Sequence, residues 1–83
     1  MALIEVGVIP LGTGTPSVSK YIAGAVKVLQ DAGDVKYELT AMGTIIEGEL
    51  PRLLILVEKM HRSAFAAGAM RVVTTIKIDE RRD

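Results

Sequence analysis

The chain has 83 residues, 49% of them hydrophobic, and ten basic residues balance ten acidic ones. This length builds one domain, neutrality supplies no basic field for a phosphate backbone, and the lack of cysteine excludes disulfides and thiolate ligands. No apolar run approaches the roughly 20 residues that span a bilayer.

The N-terminus, Met1-Ala2-Leu3-Ile4-Glu5, carries no basic region before an apolar run, so it does not read as a signal peptide. A cytoplasmic protein is expected, with no membrane or nucleic-acid partner. So short a chain has a high surface-to-volume ratio. Its wealth of Val, Ile, Leu and Ala favours apolar burial between subunits.

Leu3 to Ile9 alternates, with Ile4, Val6 and Val8 opposed to Leu3, Glu5, Gly7 and Ile9, which predicts a half-buried strand. Pro10 and Gly12-Thr13-Gly14-Thr15-Pro16 are expected to end it. Pro16 suits the first helical position, with Thr15 as N-cap. From Val18, Ile22, Ala25, Leu29 and Ala32 form one amphipathic stripe, stopped by Gly33.

Val35 to Ala41 alternates as a second strand, Met42-Gly43 makes a tight connection or bulge, and Thr44 to Glu49 is a third strand. Pro51 opens a second helix near the first-turn position, where its missing N–H matters least. Leu50, Leu54, Val57, His61, Ala64 and Gly68 mark one face of it, widened by Leu53, Leu56 and Met60, and Gly68 ends it. Val72 to Ile78 is the fourth strand, followed by a polar, exposed tail from Asp79 to Asp83.

Strand-helix-strand, twice over, with right-handed crossovers, places both helices on one face of the sheet. The expected fold is an α+β, ferredoxin-like βαββαβ sandwich, a single domain over 1–83 with a four-stranded antiparallel sheet. The other sheet face carries Leu3, Glu5, Gly7, Ile9, Lys36, Glu38, Thr40, Ile45, Glu47, Val73, Thr75 and Lys77. It is too apolar for a simple solvated face and too charged for a dry core. A homo-oligomer, dimer or tetramer, built through sheet faces and edges is expected.

The segment Met42 to Gly48 carries the most chemistry. Glu47 sits among apolar strand neighbours, and a carboxylate there faces solvent or has a partner. It either pairs with Lys36 or Lys77 or contacts a ligand; Glu5 is placed similarly and reads as an interface charge. Thr44 is a β-branched strand former or a ligand hydroxyl. Ser19, in the first turn of the first helix, bonds local backbone or meets a ligand.

Gly12-Thr13-Gly14-Thr15 resembles an anion cradle but lacks the spacing of nucleotide fingerprints, so a plain turn is the expectation. His61 is the only histidine. Without Cys or a second His it makes neither a metal site nor a catalytic triad. No nucleophile–base pair is visible, so no enzyme and no cofactor are expected.

Val8-Ile9-Pro10-Leu11-Gly12-Thr13, Ser19 with Tyr21, Tyr37-Glu38-Leu39, Met42-Gly43-Thr44 with Glu47-Gly48, Gly68-Ala69 with Arg71-Val72, and Asp79-Glu80-Arg81 together resemble a family of small proteins associated with binding thiamine or its hydroxymethylpyrimidine half. The resemblance covers essentially the whole chain. Pro51 departs from it, standing where an acidic or polar helix-start residue is expected.

The resemblance implies a ferredoxin-like subunit, oligomers built through sheets, and binding of a small thiamine-like molecule without a catalytic step. It also implies that Glu47, Thr44, Ser19, Tyr37 and Met42 converge on the ligand. The carboxylate would accept from an exocyclic amine, hydroxyls would meet ring nitrogens, and the aromatic and thioether groups would cover the ring. The alternative is an oligomeric regulatory or interaction protein with a different ligand or none.

Overall fold

The computed structural model describes residues 1–12 and 19–83. The expected cap and first turn at Thr15 and Pro16, and most of the glycine–threonine loop, lie outside those residues. The elements in chain order are β1 (Ala2–Leu11), α1 (Ser19–Ala32), β2 (Lys36–Thr40), β3 (Gly43–Gly48), α2 (Leu50–Ala66) and β4 (Arg71–Glu80).

The four strands form one antiparallel sheet in the order β2-β3-β1-β4. Ala2, Ile4 and Val6 from β1 and Ile46 from β3 pack with Ala25 and Leu29 from α1 and Leu53, Leu56, Val57 and Met60 from α2. One core thus joins both helices to one sheet face, the expected ferredoxin-like sandwich. Ile4, Ile46 and Leu53 are fully buried, and burial of each stabilises the fold by about 1.5–3 kcal/mol.

The register puts Leu3, Glu5, Gly7 and Ile9 on the uncovered face, level with Asp79, Lys77, Thr75 and Val73 of β4. Glu47 and Ile45 of β3, and Lys36, Glu38 and Thr40 of β2, share that face. Its composition is the one expected from alternation. The hairpin between β2 and β3 turns at Ala41 and Met42. It is tied by the Met42 N–H donating to Thr40 Oγ1 at 3.2 Å and by that hydroxyl donating to the Gly43 carbonyl at 2.7 Å.

Four details differ from the sequence reading. First, β1 runs through Pro10 to Leu11 and stays paired with β4 throughout. A Cβ on Gly43 would lie 2.8 Å from the Val6 carbonyl oxygen, so that carbonyl points toward β3. Backbone direction alternates along a strand, so the missing Pro10 N–H falls on the same side, beyond the end of β3. Proline is tolerated where no ladder bond is required.

Second, α1 buries Tyr21 and leaves Ile22 51% exposed. Tyr21 packs with Ala64 and Ala69, whose small side chains leave room for its ring. Third, α2 buries Leu53, Leu56, Val57, Met60 and Ala64 while Leu54 points outward. Its face is set by Leu53, which lies against Gly48 of β3. Fourth, β4 extends through Asp79 and Glu80, which stand opposite Leu3 and Ala2. Pairing with β1 orders this polar stretch despite its composition.

Candidate functional site

The register of β1 creates a cleft. Its pairing with β3 stops at Val6↔Thr44, whereas its pairing with β4 continues to Leu11↔Arg71. Beyond Val6, β1 therefore has no β3 residue paired with it. The gap is bounded by β1 from Val6 to Pro10, by Tyr21, Ile22 and Ala25 of α1, and by Ala41, Met42, Gly43 and Thr44 of the hairpin. Met60 and Thr75 complete the lining, and the volume is about 340 Å³.

None of these lining residues is charged. Alternation from the Val6 carbonyl turns the N–H and C=O of Val8, and the C=O of Pro10, toward the gap. Thr44 adds a hydroxyl from the helix-bearing side of β3, level with Val6. Met42 stands 85% exposed in the hairpin turn, and Tyr21 is buried. The cleft thus joins a backbone donor and acceptors to the hydroxyl-bearing side chains of Thr44, Thr75 and Tyr21 between apolar walls, an arrangement suited to a flat, weakly polar ring.

The five sequence-predicted site residues do not all meet there. Thr44 and Met42 line the cleft. Glu47 is on the opposite face of the sheet, about 10 Å along β3 from Thr44 at the usual strand rise. It borders a separate depression of about 210 Å³ with Leu3, Asp79 and Arg81. Tyr37 stands level with Ile46 on the helix-bearing side of edge strand β2, outside both hollows. Ser19 is the exposed first residue of α1.

Lys36 stands opposite Glu47, and Lys77 opposite Glu5. Among the described residues, the ion pairs within 4 Å form elsewhere: Lys27–Asp31, Arg52–Asp34, Arg62–Glu58 and Arg81–Asp83. Asp34 is held below the ordinary carboxylate range chiefly by its hydrogen bond from Arg52. His61 packs structurally. Its Nδ1 lies 2.6 Å from Thr74 Oγ1, and its ring meets Phe65 edge-on at 5.4 Å. No cluster of metal-ligating side chains occurs among the described residues.

Sequence reasoning passed over Val8, Pro10, Tyr21 and Ile22 as site residues. One signal was available for the first two. The apolar pattern of β1 runs past Pro10 to Leu11, longer than β3, and a proline inside such a run marks an unpaired side.

A family model described as thiamine-binding protein matches residues 4–83. The UPF0045 protein YqgV of Bacillus subtilis is 49% identical over 86 aligned positions, covering all of this chain and 83% of its own length. The solved structure of hypothetical protein MJ1052 from Methanocaldococcus jannaschii superimposes with a TM-score of 0.89 at 43% identity, over 99% of this chain and 81% of that one. A domain of unknown function from Bacillus cereus matches with a TM-score of 0.86 at 36% identity, over 96% of this chain and 75% of that one.

Proposed function

Since the chain belongs to the thiamine-binding protein family, we propose that it binds thiamine or a related aminopyrimidine without a chemical step, as a cytoplasmic carrier, buffer or sensor. The observation that carries this reading is the cleft where β1 outlasts β3. An aminopyrimidine presents ring nitrogens that accept and an exocyclic amine that donates. The Val8 N–H and C=O offer the complementary pair on one strand edge, and Thr44 Oγ1 adds a third contact. Met42 and Ile22 border the cleft as apolar cover for the ring.

In this reading Thr44 and Met42 touch the ligand within one subunit. Glu47 joins the site only from a second copy laid on the open sheet face, where its carboxylate favours a cationic thiazolium. Ser19 and Tyr37 flank the site rather than line it.

The test is thermal unfolding with thiamine, its hydroxymethylpyrimidine and thiazole halves, and thiamine phosphates. A ligand bound to the folded state at 100 times its Kd stabilises it by about 2.7 kcal/mol. The expected result is a saturable rise in Tm with the pyrimidine-bearing compounds, much reduced in Thr44→Val. Loss of the shift in Glu47→Gln as well would support the two-subunit site. No shift at millimolar ligand would sink the binding reading and favour the second one, an oligomeric interaction protein, which rests on the mixed composition of the open face.

A further inference from the structure

The cleft opens on both sides of the sheet. Val6, Val8 and Pro10 belong to the helix-bearing face of β1, Gly7 and Ile9 to the uncovered face, and all five line the cleft. Thr75 joins them from β4, across Gly7, which stands opposite it and has no side chain. A Cβ on Gly7 would lie 3.1 Å from Thr75 Oγ1, so that hydroxyl leans over β1 toward the gap. Gly43 forms the facing wall, also without a side chain. Two glycines thus hold open a mouth on the uncovered face, floored by bare backbone.

Glu5 stands beside that mouth. It is half-buried, and its Cγ lies 3.7 Å from where a Cβ of Gly43 would be. The side chain therefore leans toward the hairpin end of β3 and away from Lys77, which stands opposite it on β4. Among the described residues, Glu5 accordingly forms no ion pair. Its carboxylate begins one bond beyond that Cγ, at the rim of the cleft and just outside the lining. A charge withdrawn from water is stabilised by a partner of opposite sign, and the mouth leaves room for one.

We propose that this mouth is a cation subsite, in which the Glu5 carboxylate and the Thr75 hydroxyl oxygen hold the positively charged ring of a two-ring ligand whose neutral ring lies in the cleft. The inference rests on the aminopyrimidine reading of the cleft and adds a charge preference to it. It places a counter-ion for a thiazolium within one subunit, so it holds whether or not a second copy brings Glu47. Glu5, an interface charge on sequence grounds, becomes a residue that selects the ligand.

Calorimetric titration with three compounds tests this subsite: thiamine, its neutral thiophene analogue with carbon in place of the thiazolium nitrogen, and hydroxymethylpyrimidine alone. The parent is expected to bind thiamine about tenfold more tightly than the neutral analogue, the size of one charge-assisted contact. Added salt should reduce that preference. Glu5→Gln should abolish it, bringing the two Kd values together. Gly7→Ala places a methyl group in the mouth and should weaken thiamine more than hydroxymethylpyrimidine. A parent without the preference, a preference that survives Glu5→Gln, or a Gly7→Ala protein that loses both compounds equally would overturn the subsite and leave the cleft reading standing. A parent that binds none of the three compounds would overturn both.

Discussion

At Gly43, backbone and cleft depend on the absence of one atom. Its φ is +154°, and a Cβ would sit 2.8 Å from the Val6 carbonyl oxygen, a backbone atom with little freedom to move. Gly43→Ala is expected to destabilise the fold by about 1–3 kcal/mol, the usual range for a side chain forced into such a conformation. It also displaces Met42 and Thr44 and so weakens any ligand-induced shift. Gly48 supplies the control, because a Cβ there meets side-chain atoms of Leu53, Cδ2 at 3.2 Å and Cγ at 3.8 Å, and no backbone atom. Equal urea midpoints for the two alanine variants would count against the proposed role of the Val6 carbonyl.

Among the elements, α2 holds the sheet to the rest of the core. Its N-cap residue Glu49 makes no side-chain cap bond, and proline occupies the first turn. A serine there offers a short acceptor for the free N–H groups. Glu49→Ser is therefore expected to stabilise the protein by about 1 kcal/mol, read from the urea midpoint. In the helix interior, Leu53→Ala removes a fully buried side chain and is expected to destabilise by about 2–5 kcal/mol.

Near the same helix start, the Arg52–Asp34 tie ends the α1–β2 connection. The carboxyl of Asp34 is depressed in the folded state, so its contribution is present above the unfolded value and fades as pH falls through the folded one. Both side chains are well exposed, so the effect is small. Arg52→Ala should return the Asp34 carboxyl toward its ordinary value in an NMR titration.

The elements were legible because periodicity encodes faces. Ile4, Val6 and Val8 against Leu3, Glu5 and Gly7 place β1 without any knowledge of its neighbours. What stayed hidden depended on partners. Asp79 and Glu80 belong to β4 because Leu3 and Ala2 stand opposite them. Tyr21 displaces Ile22 because Ala64 and Ala69 leave space. The separation of Thr44 from Glu47 could be read from parity, since residues three apart on a strand face opposite ways. The cleft could not, because it arises from the different lengths of two ladders on one strand.

For the whole molecule, the decisive property is a sheet with one covered face and one mixed face. Leu3 and Ile9 are 43% and 48% exposed on the mixed face, among charges of both signs. Antiparallel sheets tolerate water on one side, so exposure alone does not demonstrate an interface. Leu3 offers a way to separate the cases because it stands between Glu47 and Asp79 in the register. A lysine there gains two opposite charges across the strands, each worth about 0.2–1 kcal/mol, within the isolated subunit. Stacked sheets would instead have to bury that ammonium against apolar neighbours, which is unfavourable. Leu3→Lys is therefore expected to keep or raise the stability of the subunit while lowering the oligomer mass by light scattering. An unchanged mass would remove the open face from the assembly and, with it, the route by which Glu47 reaches a ligand in a neighbouring cleft.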